Sequence, residues 1–308
     1  MLGTAMWGWT TPAQDCYDLL DTFYQRGHRL VDAATNYPLN KRPEDFRASE
    51  TILQQWIQAN GVNDLRVCMK VGSLDNMFTP DHNLTPSFLL FNLEHYRQLL
   101  GDNLACFMIH WDNRSDPQAI AESISTLATV KETGLDIGFS GLKHPGIHQS
   151  LLANHTLGTP WLQLKHNLLY SDRPRYGAFA DACRVFAYGL NAGGLKLDAG
   201  KYRKDSSLVA RSGKDHPDTP PLIEDLLSLQ KDWEQRSEAP ALTAFYQAAL
   251  LFGVHSPGIQ GLILGGRNRE QLISNLDTVE QMRALPASPW FDELHTLHQR
   301  HAPADRII

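Results

Sequence analysis

The chain has 308 residues, 42% hydrophobic and 20% charged, an ordinary globular composition with enough apolar material for a large core. Its net charge is −6 and no Lys/Arg block is dense enough to track a phosphate backbone, so a nucleic-acid partner is disfavoured and small metabolites are expected. No apolar run reaches the ~18 residues of a membrane span and no signal-peptide pattern opens the chain, so a cytoplasmic protein without a membrane partner is expected.

Short apolar runs alternate with longer amphipathic stretches from one end to the other, the signature of repeated βα units. The expected strands are Leu2 to Met6, Leu30 to Ala33, Leu65 to Val71, Ala105 to His110, Asp136 to Ser140, Trp161 to Leu164, Arg184 to Tyr188 and Gly261 to Leu264. Between them the periodicity predicts helices at Pro12 to Arg26, Ser49 to Ala59, Pro86 to Leu99, Asp116 to Thr133, Pro145 to Ala153, Pro220 to Arg236, Ala241 to Phe252 and Arg269 to Met282. Thr11, Pro12 and Gln14 read as a capping box at the first helix, and Gly27 as its stop. Eight such units fit an α/β fold, a (β/α)8 TIM barrel forming a single domain over residues 1–308. A doubly wound sheet is the alternative, but the glycine fingerprint that usually follows its first strand is missing. The segment from Gly193 to Thr219, rich in Gly, Asp and Ser, is expected to be a long lid loop at the C-terminal face.

Three consecutive strand-like runs end in an ionisable residue: Asp32, Lys70 and His110. In a barrel these ends share one mouth, which Tyr37 would enter from the loop after Asp32. A phenol is a weak acid near neutral pH, and a nearby ammonium lowers its pKa. Lys70 would supply that cation, Asp32 would keep it charged despite burial, and neutral His110 would bind the substrate oxygen. The expected chemistry is protonation of an oxygen as hydride reaches its carbon, with Tyr37, Lys70, Asp32 and His110 as catalytic residues.

The run from Val31 to Tyr37, with Met69-Lys70 and Ile109-His110-Trp111, resembles the aldo-keto reductase superfamily and its Asp, Tyr, Lys, His tetrad. The likeness extends through Leu2-Gly3-Thr4-Ala5, Ala48-Ser49-Glu50, Gly138-Phe139-Ser140-Gly141, Gln163 to Asn167, Phe186 to Leu190 and Gly265 to Asn275. It implies a nicotinamide cofactor, NADP(H) by family habit with NAD(H) as the alternative. By the same resemblance, Gly3, Thr4, Ala5, Ser140, Gln163, Tyr188, Leu195, Lys201, Gly265, Arg267, Gln271 and Asn275 are cofactor-binding candidates. Ser140 and Gln163 would hold the carboxamide and Tyr188 would stack on nicotinamide. The chain departs from the family pattern at Gly141, where Asn is usual, and at Gly189, Leu190, Leu264 and Ser274.

Trp7 and Trp111 are the expected walls of the substrate site. Lys41, Arg42 and Arg47 read as a solvated basic loop, with an anionic substrate as the less favoured option. His144 and His148 share a helix face but lack a third ligand in a recognised spacing, so no metal is expected. Cys16, Cys68, Cys106 and Cys183 lie too far apart for a zinc or redox pair and are expected to be reduced and mostly buried. The partner is expected to be a small carbonyl compound, with a sugar-derived one among the options. A dehydrogenase running in reverse, a cofactor-sensing subunit and a barrel isomerase are the rival readings.

Overall fold

The computed structural model describes residues 1–152, 157–203, 206–214 and 217–302. Its strands are β1 (Leu2–Gly3), β2 (Leu30–Ala34), β3 (Arg66–Val71), β4 (Leu104–His110), β5 (Asp136–Ser140), β6 (Trp161–Asn167), β7 (Tyr170–Ser171), β8 (Arg184–Tyr188) and β9 (Gly261–Leu262). All but β7 run parallel in the order β1-β2-β3-β4-β5-β6-β8-β9, and β7 is a short antiparallel addition to β6. Leu2 bridges Leu264 in parallel and the Gly3 amide donates to the Leu264 carbonyl at 2.8 Å, so the last strand meets the first and the ring closes. This is the (β/α)8 barrel that the alternating pattern predicts.

Alternation along each strand explains which side chains enter the ring. Val31, Ala33, Val67, Met69, Phe107 and Ile109 belong to the main core, in which the surrounding helices take part. Cys68, Cys106, Met108, Trp161 and Phe186 form a separate apolar cluster of the opposite parity. Asp32, Lys70 and His110 share that second parity, which turns them toward the barrel axis; His110 ends β4 and Lys70 is next to last in β3, whereas Asp32, expected to close its run, lies midway along β2, which continues to Ala34. Gly72, directly after β3, has φ +134°, and a Cβ there would lie 2.7 Å from the His110 carbonyl oxygen. Only glycine lets β4 bring His110 this close.

The helices Ala13–Gln25, Ala48–Asn60, Pro86–Leu100, Pro117–Glu132, Pro145–Leu152, Leu222–Trp233, Phe245–His255 and Arg269–Ala284 take the expected places. Ala153, expected to end the fifth of them, lies outside the described residues. The expected capping box at the first helix is corrected: Pro12 occupies the N-cap with no side-chain cap bond, while Thr11 is bridged to Trp7 in the preceding turn. The expected first strand is also shorter, because Ala5 and Met6 turn rather than extend, and Trp7 donates its amide to the Thr4 carbonyl at 3.0 Å.

A further helix, Trp290–His301, has no counterpart in the periodicity reading. It buries Trp290, Phe291, Leu294 and Leu297 in a second cluster with Trp233, Phe245, Phe252 and Leu195. Its dense histidines and charges mask an apolar stripe only four residues wide. The 193–219 segment is not a plain loop. It contains a 3₁₀ turn at Ala199–Lys201, capped by Asp198 on the Gly200 amide at 2.8 Å, and the helix Ser207–Ser212; residues 204–205 and 215–216 lie outside the described part.

Candidate active site

Asp32 ends up buried inside the barrel because Thr4 grips its backbone. The Thr4 hydroxyl donates to the Asp32 carbonyl at 2.9 Å and the Thr4 amide donates to the same oxygen. Ser49 in turn donates to the Thr4 carbonyl at 3.0 Å. Two of the sequence-expected cofactor contacts, Gly3 and Thr4, therefore serve barrel closure and the placement of Asp32, and Ala5 lies in the turn that follows.

Lys70 donates its ammonium to Asp32 Oδ1, and both side chains are buried. Burial works against the Lys70 charge, but the Asp32 carboxylate, with Tyr37 and Cys68 beyond it, outweighs burial and holds the lysine pKa above its ordinary value. The ammonium is therefore permanent at neutral pH. It sits 5.0 Å from the centre of the Tyr37 ring, and Tyr37 is itself buried. The His110 ring meets the Tyr37 ring edge-on with centroids 6.0 Å apart. Burial first, and the Lys70 charge second, push the His110 pKa well below the ordinary histidine value. His110 is therefore neutral, and its Nδ1 has no hydrogen-bond partner among the described residues. Asp32, Lys70, Tyr37 and His110 thus meet around one spot, with the Lys70 ammonium bound to Asp32 and a neutral imidazole nearby.

Gln163 was expected on a cofactor carboxamide; here its amide nitrogen donates to Asp32 Oδ1 at 2.6 Å. Asp32 thus accepts from two buried donors. The sequence offered no signal for this bond, because it joins β2 to β6 across the barrel. Ser140 lies beside His110 in register, buried, and its carbonyl accepts from the Trp111 amide at 2.8 Å. Tyr188 closes β8, half-buried, with burial raising its phenol pKa well above the ordinary value so that the ring stays neutral.

The other cofactor candidates follow β8 and β9 in the chain. Leu195 is buried in the second cluster, and Lys201 is exposed on its 3₁₀ turn. Asn275 donates to the Gly265 carbonyl at 2.9 Å and Gln271 accepts from the Arg267 amide at 3.1 Å, which shapes the turn entering the helix Arg269–Ala284. Nothing lies within 4 Å of where a Cβ on Gly265 would sit. An open glycine before a capped helix N-terminus, with Arg267 between them, fits an anionic phosphate end. The residues present thus fit a nicotinamide nucleotide.

The expected substrate walls separate. Trp7 is 1% exposed and packed in the main core, so core packing accounts for it. Trp111 is half-buried beside the reactive centre, its ring 5.0 Å from His110. Gly141 carries φ +73°, and a Cβ there would meet Trp111 Cδ1 at 2.5 Å. The indole occupies the space that a side chain at 141 would need, which gives the glycine at this position a physical reason. The expected basic loop is mostly paired: Arg42 with Glu44 at 3.1 Å and Arg47 with Glu50, which also accepts from Tyr96 at 2.6 Å.

His148 is fully buried and bound to Asp112 at 3.1 Å, and Asp112 also binds Arg114 at 2.7 Å. His148 is thus a structural residue beneath the β4 loop. Among the described residues no group of three or more His, Cys, Asp or Glu could hold a metal ion. The four cysteines are free and buried. No helix among the described residues is long and apolar enough to cross a membrane.

A family model described as the aldo/keto reductase family matches residues 1–287. Among curated proteins, Protein tas of Escherichia coli (strain K12) and Protein tas of Shigella flexneri are each 29% identical over 119 residues, 37% of this chain. The match spans only 34% of the length of those relatives. Among solved structures, aldo-keto reductase AKR11C1 from Bacillus halodurans, in a holo form, matches with a TM-score of 0.68 and 16% identity over 99% of this chain and 92% of that one. At that identity the likeness is one of fold.

Proposed function

Because this chain belongs to the aldo/keto reductase family, we propose that it reduces an aldehyde or ketone to an alcohol with a nicotinamide nucleotide, Tyr37 acting as the proton donor. The observation that carries this reading is the buried convergence of Tyr37, Lys70, Asp32 and His110 from the loop after β2, the middle of β2 and the C-terminal parts of β3 and β4. When bound, the reduced nucleotide supplies a hydride to the carbonyl carbon. The remaining steps belong to the chain's own residues.

A carbonyl oxygen placed between Tyr37 and His110 gains negative charge as its carbon is reduced, and Tyr37 gives it a proton. The phenolate left behind faces the Lys70 ammonium, whose charge Asp32 secures and Gln163 helps to orient. His110, being neutral, offers the oxygen a hydrogen bond without adding a second cation beside Lys70. The same groups serve alcohol oxidation in reverse, so direction follows cellular nucleotide ratios.

NADP(H) is the proposed nucleotide and NAD(H) the alternative, since Arg267 and Lys201 offer cations for a 2′-phosphate. Ser140, Tyr188, Leu195, Gly265, Gln271 and Asn275 complete the proposed cofactor contacts, with the whole chain acting as one barrel domain. A cytoplasmic location fits the four free thiols.

The test is loss of the reduced-nicotinamide absorbance with each nucleotide across a panel of aldehydes and ketones. Consumption that depends on both carbonyl and enzyme supports the reading. Tight nucleotide binding with no consumption would favour a cofactor sensor, and no nucleotide binding at all would favour a barrel isomerase.

A further inference from the structure

Five described residues other than glycine have positive φ, and three of them, Lys41 at +59°, Phe78 at +63° and Trp111 at +61°, form one wall beside the reactive centre. Such conformations cost free energy and persist where surrounding structure holds them, commonly at ligand sites. Here the surroundings are specific. Phe78 stacks on Trp111 with centroids 6.1 Å apart and an interplanar angle of 26°. The Lys41 ammonium lies 5.8 Å from the Phe78 ring centre. Lys41 donates its amide to the Asn76 carbonyl at 3.2 Å, and Asn76 donates its side-chain amide to the Arg42 carbonyl at 2.8 Å, tying the two loops together.

Rings therefore run outward without a break from Tyr37 to His110, Trp111 and Phe78, and a cation follows. Phe78 is 53% exposed, a large apolar surface left open at the rim of a buried polar site, with Leu74 and Met77 also exposed on the same loop. Among the described residues no carboxylate pairs with Lys41, whereas its neighbours Arg42 and Arg47 are both paired. Three residues lie between Tyr37 and Lys41, so their Cα atoms, four chain steps apart, are at most ~14 Å apart. One small molecule can reach both.

Resting on the reductase reading above, we infer that the substrate is a planar aryl carbonyl compound of about two rings that carries a carboxylate or similar anion at the end remote from its carbonyl. The carbonyl lies between Tyr37 and His110, the rings lie along Trp111 and Phe78, and the anion faces Lys41. Phe78 and Lys41 are then specificity-determining residues. A compact polyhydroxylated sugar would leave the aromatic face of Phe78 uncovered and Lys41 unused.

The test compares propanal, naphthaldehyde and a formyl-naphthoate with its formyl and carboxylate on opposite rings. Phe78→Ala is expected to lower the ratio of kcat/KM for naphthaldehyde over propanal by about 10-fold, the scale of one aromatic stacking contact with its burial. Lys41→Gln is expected to lower the ratio for formyl-naphthoate over naphthaldehyde by about 3-fold, an effect that high salt removes, as for an exposed ion pair. Quenching of tryptophan fluorescence by formyl-naphthoate, measured without turnover, should weaken in both variants. Ratios unchanged in both variants, in an enzyme that reduces all three aldehydes, would overturn the wall and leave the reductase standing. Quenching that weakens as expected in a protein that reduces none of them would keep the wall and remove the reductase.

Discussion

The two sides of the barrel mouth are built on opposite principles. On the β2 to β4 side the polar groups are buried and satisfy one another, with Asp32 held by Thr4 through its backbone and by Lys70 and Gln163 through its carboxylate. On the β8 to β9 side the features are an open Gly265, the exposed Lys201 and the short turns of the 193–219 segment. The first side fixes charge before any ligand arrives, which is what transition-state stabilisation needs. The second leaves donors to be completed by a ligand, which suits a nucleotide that enters and leaves each cycle. On the proposed function, chemistry sits on the strands and capture on the loops.

That contrast can be broken most severely from the closed side. Lys70→Met strands a buried carboxylate, and the expected cost is ~3 to 5 kcal/mol of stability together with activity, read as a drop in denaturation midpoint and in turnover. An unchanged midpoint would mean that Asp32 is solvated after all. Gly141→Ala forces a Cβ onto Trp111 at a left-handed backbone, for an expected loss of ~1 to 3 kcal/mol that Trp111→Ala should partly relieve. A double-mutant cycle with additive effects would separate the two positions.

Acid should act on the buried histidines of the barrel. The folded pKa of His110 lies well below its ordinary 6.5, and burial takes His166 down to about 4. A histidine that resists protonation only when folded contributes stability present above pH 6.5 and lost as the pH falls toward 4. Stability should therefore decline through this window, and a flat profile of unfolding free energy there would contradict the burial of these rings. The smallest effect belongs to the open side: Arg267→Gln is expected to weaken NADPH about 10-fold, a loss on the scale of one charged hydrogen bond, with NADH less affected. Equal loss for both nucleotides would place Arg267 away from the 2′-phosphate.

The same division decides what could be read in advance. Apolar runs with a period-two alternation and a closing charge made Asp32, Lys70 and His110 legible from residue type and position, although β2 runs on past Asp32 to Ala34, and the alternation of runs made the eight-fold barrel legible. Contacts between segments distant in sequence leave no local trace, which is why the Gln163 bond to Asp32 and the Asp112 bond to His148 emerged only in the folded chain. The helix Trp290–His301 escaped because its buried positions are outnumbered by histidine and charge. Trp7 shows the converse, since an indole near the first strand reads alike whether it faces a ligand or the core, and it is core packing that accounts for it. Phe78 did leave a trace, a bulky apolar residue among Asp75, Asn76, Thr79 and Pro80, in a segment whose composition otherwise asks for a polar turn.

The account stands on Tyr37 as an acid assisted by Lys70, and single-turnover reduction by Tyr37→Phe, with nucleotide affinity measured on the same preparation, tests it most directly. The expected result is unaltered nucleotide binding with a chemical step at least ~100-fold slower, the lower range for a general acid. A chemical step within a few-fold of the unmodified enzyme, at intact nucleotide affinity, would show that the proton comes from elsewhere.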